Sequence, residues 1–409
     1  MQRALAALVA AVVAVPAAAG QPTVVAEAEF LAAVGEYHPA LAALRAGVGS
    51  ARAEALAVAT LADPEVAAVR EDPEGSAEQI DLTVAWQPPR PGRRLSVTAA
   101  EHRIAAAEAR LDSERVAVHV VLHEVYAGWA IATERTNRLT GHAARIAELA
   151  GREQARAERG EASGLEARRL ALAADEAASR LALAEAETDA ARATARGWMP
   201  ELRDGAIPEL PDLTPRPVAL PAEHPHLIAL EQDLSAARLS RRAADRIVRW
   251  PGLVAGWQRQ ELDAGSVEGP ILGFSWPLPL LDRNRPERSL AATLEATAEA
   301  RLQAARRRFD ADRAGALAAY GRLEAAARQA HRAAAGNAAM VAAALAAFEQ
   351  GEASVTDLLE TLGSTVDAET TALDLHAAAL AAFRRLEELA GRPLDVRDRS
   401  ALEPAGDTP

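Results

Sequence analysis

The nine histidines are the residues of this chain best placed by type to do chemistry. His119 and His123 lie four apart in a stretch without proline, so on a helix they share a face, and Glu124 follows them. Two imidazoles at that spacing can hold a divalent cation. They lack the flanking pattern of a zinc protease, and polar positions on a long helix are the simpler reading. His224 and His226 flank Pro225 at an expected helix start, where a structural role is the default. Glu166 stands three after Ser163, and Asp357 three after Ser354, the spacing of a helix capping box. No Gly-rich phosphate loop, nucleophile elbow or clustered acid pair is present. Cysteine is absent, which removes disulfides, thiolate metal sites, thiol nucleophiles and a lipid-modified N-terminal cysteine. The expectation is therefore no enzyme: no catalytic residue, no cofactor and no resident metal.

The elements that carry these residues occur twice. Gly160-Glu161-Ala162-Ser163 returns as Gly351-Glu352-Ala353-Ser354, about 190 positions later. His38-Pro39-Ala40-Leu41 matches His224-Pro225-His226-Leu227, Asp63-Pro64 matches Trp250-Pro251, and Gly75-Ser76 matches Gly265-Ser266. Trp86 matches Trp276, and Tyr126 matches Tyr320. Matches in one order at nearly one offset imply internal duplication.

Each copy reads as helix, strand pair, long helix, turn, helix. A helix is expected from Glu27 to about Leu61, and a strand from Gln79 to Gln87, where Ile80, Leu82, Val84 and Trp86 alternate with Asp81, Thr83 and Ala85. Val97, Ile104, Leu111, Val118, Val125, Ala132, Leu139 and Ile146 fall at every seventh position of a helix over 92–159. A turn at Gly160 and Gly164 leads to a helix over 165–197. In the second copy, helix 225–248 precedes strands 253–260 and 270–276, with a turn around Gly265-Ser266. A long helix to about Gln350 carries Leu302, Phe309, Ala316, Leu323 and Ala330 at sevenfold spacing, and a last helix covers 355–390. Each uninterrupted helix of roughly 65 residues would span about 100 Å, so a rod of helices is the natural product. The domain plan is a signal peptide at 1–20, a first repeat at 21–197, a Pro-rich linker at 198–223, a second repeat at 224–391 and a polar tail at 392–409.

Arg3, the apolar run Ala4 to Val15 and the small residues Ala17-Ala18-Ala19 read as a secretory signal. Beyond it no stretch reads as a spanning α-helix, so a membrane would have to be crossed by strands. Four strands cannot close a barrel, and open edges are not tolerated in lipid, so several chains would have to pool them. Trp86, Trp250, Trp257 and Trp276 fall in or beside the strands and resemble an aromatic girdle at a membrane interface. A formal charge of −13 argues against a nucleic-acid partner and suits a surface that handles cations.

The two His-Pro-x-Leu starts, the run Gly269-Pro270-Ile271-Leu272-Gly273-Phe274-Ser275-Trp276-Pro277-Leu278-Pro279, its continuation Leu281-Asp282-Arg283-Asn284-Arg285 and the two glycine turns resemble the TolC-type outer-membrane factor family. The likeness covers nearly all of the chain after the signal. It implies a mainly α fold with a small β part: long antiparallel coiled-coil helices form a periplasmic α-barrel, and four strands from each chain of a homotrimer form a twelve-stranded β-barrel in outer-membrane lipid. The linker and tail would form an equatorial belt. The family's partners are a periplasmic adaptor and an inner-membrane pump, here of RND type, and the channel conducts passively from the Gram-negative periplasm outward. In the family a Gly opens each periplasmic tip and an acid follows six positions on, which carries over to Gly160 with Glu166 and Gly351 with Asp357; Ser163 and Ser354 lie between. Three copies of each acid would ring the tip, and carboxylate rings favour cations. The Pro-Leu-Pro-Leu-Leu-Asp-Arg-Asn run is most similar to members paired with heavy-metal cation exporters, such as cobalt-zinc-cadmium resistance systems. The segment Glu65 to Glu71 departs from the pattern, being shorter than a spanning strand. The alternative reading is a soluble periplasmic coiled-coil adaptor or scaffold.

Overall fold

The computed structural model describes residues 23–34, 39–71, 78–212, 220, 223–247, 249–262, 265–276 and 283–394. The expected signal segment, His38, Gly75-Ser76, Pro215, Pro217, Pro221, Pro277–Asp282 and the tail beyond Leu394 lie outside them. In chain order the elements are β1 (Val24–Val25), α1 (Glu27–Val34), α2 (Pro39–Ala59), β2 (Glu65–Glu71), β3 (Gln79–Trp86), α3 (Arg93–Glu158), α4 (Gly164–Trp198), β4 (Ile207–Pro208), α5 (Pro225–Ala244), β5 (Gly252–Leu262), β6 (Gly265–Ser275), α6 (Arg285–Ala334), α7 (Asn337–Glu349) and α8 (Val355–Ala390). The protein is mainly helical, with a few strands.

The chain divides into two units, one of residues 1–33 and 125–211, the other of 34–124 and 212–409, and α3 runs through both. In the first unit, β1 pairs in parallel with β4, Val24 opposite Ile207 and Val25 opposite Pro208. Phe30, Tyr126, Trp129 and Leu170 are its largest fully buried side chains. Tyr126 and Trp129 meet edge to face at 6.2 Å, and Phe30 lies 5.7 Å from Tyr126.

The second unit holds the four-stranded antiparallel sheet, in the order β2-β3-β5-β6. Its helical core includes Leu220, Tyr320, Phe383, Leu386 and Ala390, with Tyr320 and Phe383 5.6 Å apart. Arg384 and Glu387, both buried, pair at 2.7 Å, and the Glu387 carboxylate also accepts from the Leu394 N–H at 3.0 Å. Gly391 ends α8 at φ 65°, and a Cβ there would fall 2.3 Å from Pro225 Cδ at the start of α5. Glycine alone fits this left-handed cap against the neighbouring proline.

The heptad stripe of α3 is real packing: Leu111, Val118, Leu139 and Ile146 are buried, and the positions between them in the series are half-buried. Two expectations need correction. The long helix of the second copy is not continuous, because α6 stops at Ala334 and α7 begins at Asn337, around Gly336. Glycine carries the largest backbone entropy cost in a helix, which makes it the natural place for a break. Asn337, buried, donates its amide N–H to the Thr365 carbonyl at 3.0 Å, so a side chain takes up a backbone acceptor across the break. Secondly, Gly265-Ser266 belongs to β6, where they pair with Leu262 and Glu261, so β5 and β6 each reach 11 residues. One further finding modifies the hydropathy reading. Among the described residues α3 contains a window apolar enough to cross a membrane, but 56% of it is buried inside the protein, as a core helix would be.

Candidate functional site

The sheet is inside out. On β3 the apolar Ile80, Leu82, Val84 and Trp86 are exposed, while the alternate residues Gln79, Asp81, Thr83 and Ala85 are half-buried. Strand periodicity puts each set on its own face. The register carries the division across the sheet. Leu82 faces Ala68 on one side and Trp257 on the other; Val84 faces Val66 and Ala255; Trp86 faces Leu253, which faces Phe274. Leu272 and Phe274, 83% and 74% exposed, extend this apolar face onto β6. The opposite face collects Gln79, Asp81, Thr83, Gln258 and Gln260 with Gly269 and Gly273, beside the apolar Val69, Val254, Val267 and Ile271. Gly256 sits on that face because a Cβ would come within 2.4 Å of the Leu82 carbonyl oxygen. Charges close the far end of the sheet, where Arg70 pairs with Glu78 at 2.7 Å and Arg259 with Glu268 at 3.5 Å.

The four tryptophans separate. Trp86 ends β3, Trp250 precedes β5 and Trp276 follows β6, so these three gather at the helix end of the sheet. The Trp276 indole N–H donates to the Arg249 carbonyl at 2.9 Å, its polar tip satisfied and its ring exposed. Trp257 lies five residues into β5, on the apolar face opposite Leu82, at mid-sheet rather than with the other three.

The two glycine turns share one geometry. Gly160 and Gly351 both take φ 74°. Glu161 N–H bonds the Arg156 carbonyl at 2.9 Å and Gly160 N–H that of Ala157 at 3.0 Å; Glu352 and Gly351 bond Ala347 and Phe348 at 2.8 and 3.0 Å. Both are Schellman ends. The caps that follow differ. Ser354 and Asp357 form a full capping box: Asp357 N–H donates to Ser354 Oγ at 3.2 Å, and Ser354 N–H to Asp357 Oδ2 at 3.1 Å. The Ser354 hydroxyl and N–H hold the Asp357 carboxyl below the usual carboxylate range. At the other turn Ser163 Oγ accepts from Leu165 N–H at 3.3 Å, and Glu166 is the acid of the first turn. Val355, Leu358 and Leu362 are buried behind Ser354, whereas Leu165 and Leu172 are exposed on α4.

Several of the described histidines meet each other or cap a helix. His119 and His123 contact each other through Nε2 atoms 2.9 Å apart, and among the described residues no group of three metal-binding side chains exists. His224 caps α5: its Nδ1 accepts from His226 N–H at 3.1 Å, and its Nε2–H donates to the Glu388 carbonyl at 2.9 Å. Burial pushes the His224 imidazolium toward the neutral form, below pKa 6.5. His331 and His376 meet at 3.0 Å across α6 and α8.

The β1–β4 pair and its lock were not foreseen. The Tyr126 hydroxyl lies 2.7 Å from the Val25 carbonyl and accepts from Glu209 N–H at 2.9 Å, and burial pushes its pKa up to about 12. Two-residue strands have no periodicity to read; the sole signal was the Tyr126–Tyr320 match.

Several solved structures share this architecture. The outer-membrane channel OprN is 18% identical, with a TM-score of 0.73 over 90% of each chain. VceC, an outer-membrane protein of Vibrio cholerae, is 15% identical, with a TM-score of 0.73 over 90% of this chain and 97% of its own. The CmeC outer-membrane channel of Campylobacter jejuni is 12% identical, with a TM-score of 0.73 over 89% of this chain and 85% of its own. The fold is that of an outer-membrane channel. No family model and no curated protein matches the chain.

Proposed function

We propose that the protein is the outer-membrane exit duct of a tripartite efflux system, a passive channel rather than an enzyme. The observation that carries this reading is the sheet whose inner strands β3 and β5 expose an apolar face and half-bury the alternate one, with its outer strands β2 and β6 at open edges. In water that arrangement exposes apolar area and unpaired backbone together. In lipid the apolar face is solvated, and the edges must be closed by strands from other copies. Three copies close a twelve-stranded barrel whose polar face lines a wet pore. The helices then form the periplasmic duct, built as two copies of one ancestral unit. Gly160, Ser163 and Glu166, with Gly351, Ser354 and Asp357, form the tips that dock a periplasmic adaptor and gate the passage, and an inner-membrane RND-type pump supplies the energy. Trp86, Trp250 and Trp276 mark the periplasmic membrane interface. Heavy-metal cations are the proposed cargo, a choice supported by the net charge of −13 and by the sequence run after β6.

Cell fractionation tests the reading. The expected result is an outer-membrane protein that needs detergent for extraction and migrates as a heat-modifiable trimer. Recovery as a monomer in osmotic-shock fluid would overturn it in favour of a soluble periplasmic scaffold.

A further inference from the structure

The chain crosses between helices and sheet at four places: before β2, after β3, before β5 and after β6. All four crossings line one cavity of about 600 Å³, which takes in Thr60–Ala62, Gln87–Gly92, Arg246–Ile247, Arg249 and Asn284. Its charged lining is one-sided. Arg90, Arg93, Arg103, Arg246 and Arg249 face it, against the single carboxylate of Glu287. Asp245, beside Arg246 in sequence, is taken up by Arg288 at 2.9 Å. Arg103 donates to Ser240 Oγ at 3.0 Å and Arg93 to the Ala59 carbonyl, both neutral acceptors. Arg90, Arg246 and Arg249 have no ion-pair partner among the described residues, and Arg93 Nε is buried with no hydrogen-bond partner. A buried guanidinium N–H without an acceptor costs free energy unless something supplies one.

We infer that this cavity binds a phosphate-bearing anion, and that its source is the headgroup of an anionic phospholipid. Clustered guanidinium groups with neutral protein partners match phosphate oxygens, which accept paired N–H bonds from the planar fork. The position selects the lipid. Trp86, Trp250 and Trp276 gather at this same end of the sheet, where an exposed apolar face meets polar helices. On the membrane-spanning reading, on which this inference rests, that end lies at headgroup depth, where Trp belts and basic pockets meet anionic lipid. A headgroup held there would tie the four crossings together by one set of charge-assisted bonds.

The test uses the full-length protein purified in detergent, titrated with phosphatidylglycerol, phosphatidylcholine or inorganic phosphate and read by native mass spectrometry. The variant is Arg90→Gln combined with Arg246→Gln, both exposed and free of ion pairs, so that folding is retained; trimer migration checks this. The wild type is expected to retain phosphatidylglycerol in preference to phosphatidylcholine, and the variant to retain it about tenfold less well, the loss expected from two weakened charge-assisted contacts. Equal retention by wild type and variant, or no preference for the anionic lipid, would overturn the site. Binding of inorganic phosphate with no retained phosphatidylglycerol would overturn the lipid source. Failure of the membrane reading shows separately, as a wild type that stays monomeric and dissolved without detergent.

Discussion

A neutral imidazole holds the start of α5. His224 can accept from the His226 N–H only through an unprotonated Nδ1, because Nε2 carries the proton given to Glu388. Its pKa is lowered, chiefly by burial, so the folded state favours the neutral form. The sign follows: this contribution is fully present above the unfolded value of 6.5 and is lost as pH falls through the lower folded value. A drop in melting temperature on acidification through that window is expected. His224→Ala should cost about 1 kcal/mol at neutral pH, as lost helix caps do, and should flatten that part of the pH profile. Thermal melts of both proteins across the window check this; parallel profiles would refute it. At this scale the sequence showed that His224 stood at a helix start, where a structural role was the default; the cap itself came from the structure. It did not show Glu388, 164 positions away, because nothing in a linear pattern encodes a partner at that distance.

The turns belong to the scale of elements. Gly160 and Gly351 take φ 74° with open space around the missing side chain, so substitution there strains the backbone without a clash. Gly160→Val with Gly351→Val should cost about 1–2 kcal/mol per site from the left-handed conformation alone. Outer-membrane assembly is expected to survive, while export, measured as cation tolerance of the cells, is expected to be lost. Unchanged tolerance would move docking and gating away from these turns. Helices with clear signals were legible: α3 by its heptads, and α4 and α8 by the glycine turns that precede them, all within one residue of the expected bounds. The break at Gly336 was not, because an alanine-rich stretch has high helix propensity on both sides and the glycine looked like one more tolerated residue. Nor was Gly265-Ser266 as strand: the glycine at φ 129° reads as a turn, but the hairpin reverses earlier and pairs it with Leu262. Of the candidate site, the apolar strand face could be read from β3 alone. Trp257 could not be placed, because depth in a sheet depends on register with a strand more than 170 positions away.

For the whole molecule the decisive question is what pairs with the outer strands. The chain has no cysteine, so a pair of introduced cysteines reports one contact without background. Ala67 on β2 and Val267, Gly269, Ile271 and Gly273 on β6 share the polar face of the sheet by register. Ala67→Cys combined in turn with each of the four β6 positions should, for at least one pair, give covalently linked trimers on oxidation in membranes, resolved on denaturing gels. A series in which every pair stays monomeric would exclude β2–β6 closure between copies. The second unit also sets how its helices can move. The buried amide of Asn337 on the Thr365 carbonyl acts as an axial stop, because gliding α7 along α8 by one turn, about 5.4 Å, would take that amide off its acceptor at roughly 1–3 kcal/mol. Moving α7 and α8 together leaves the bond intact, so rearrangement of the second unit would carry this helix pair as one body.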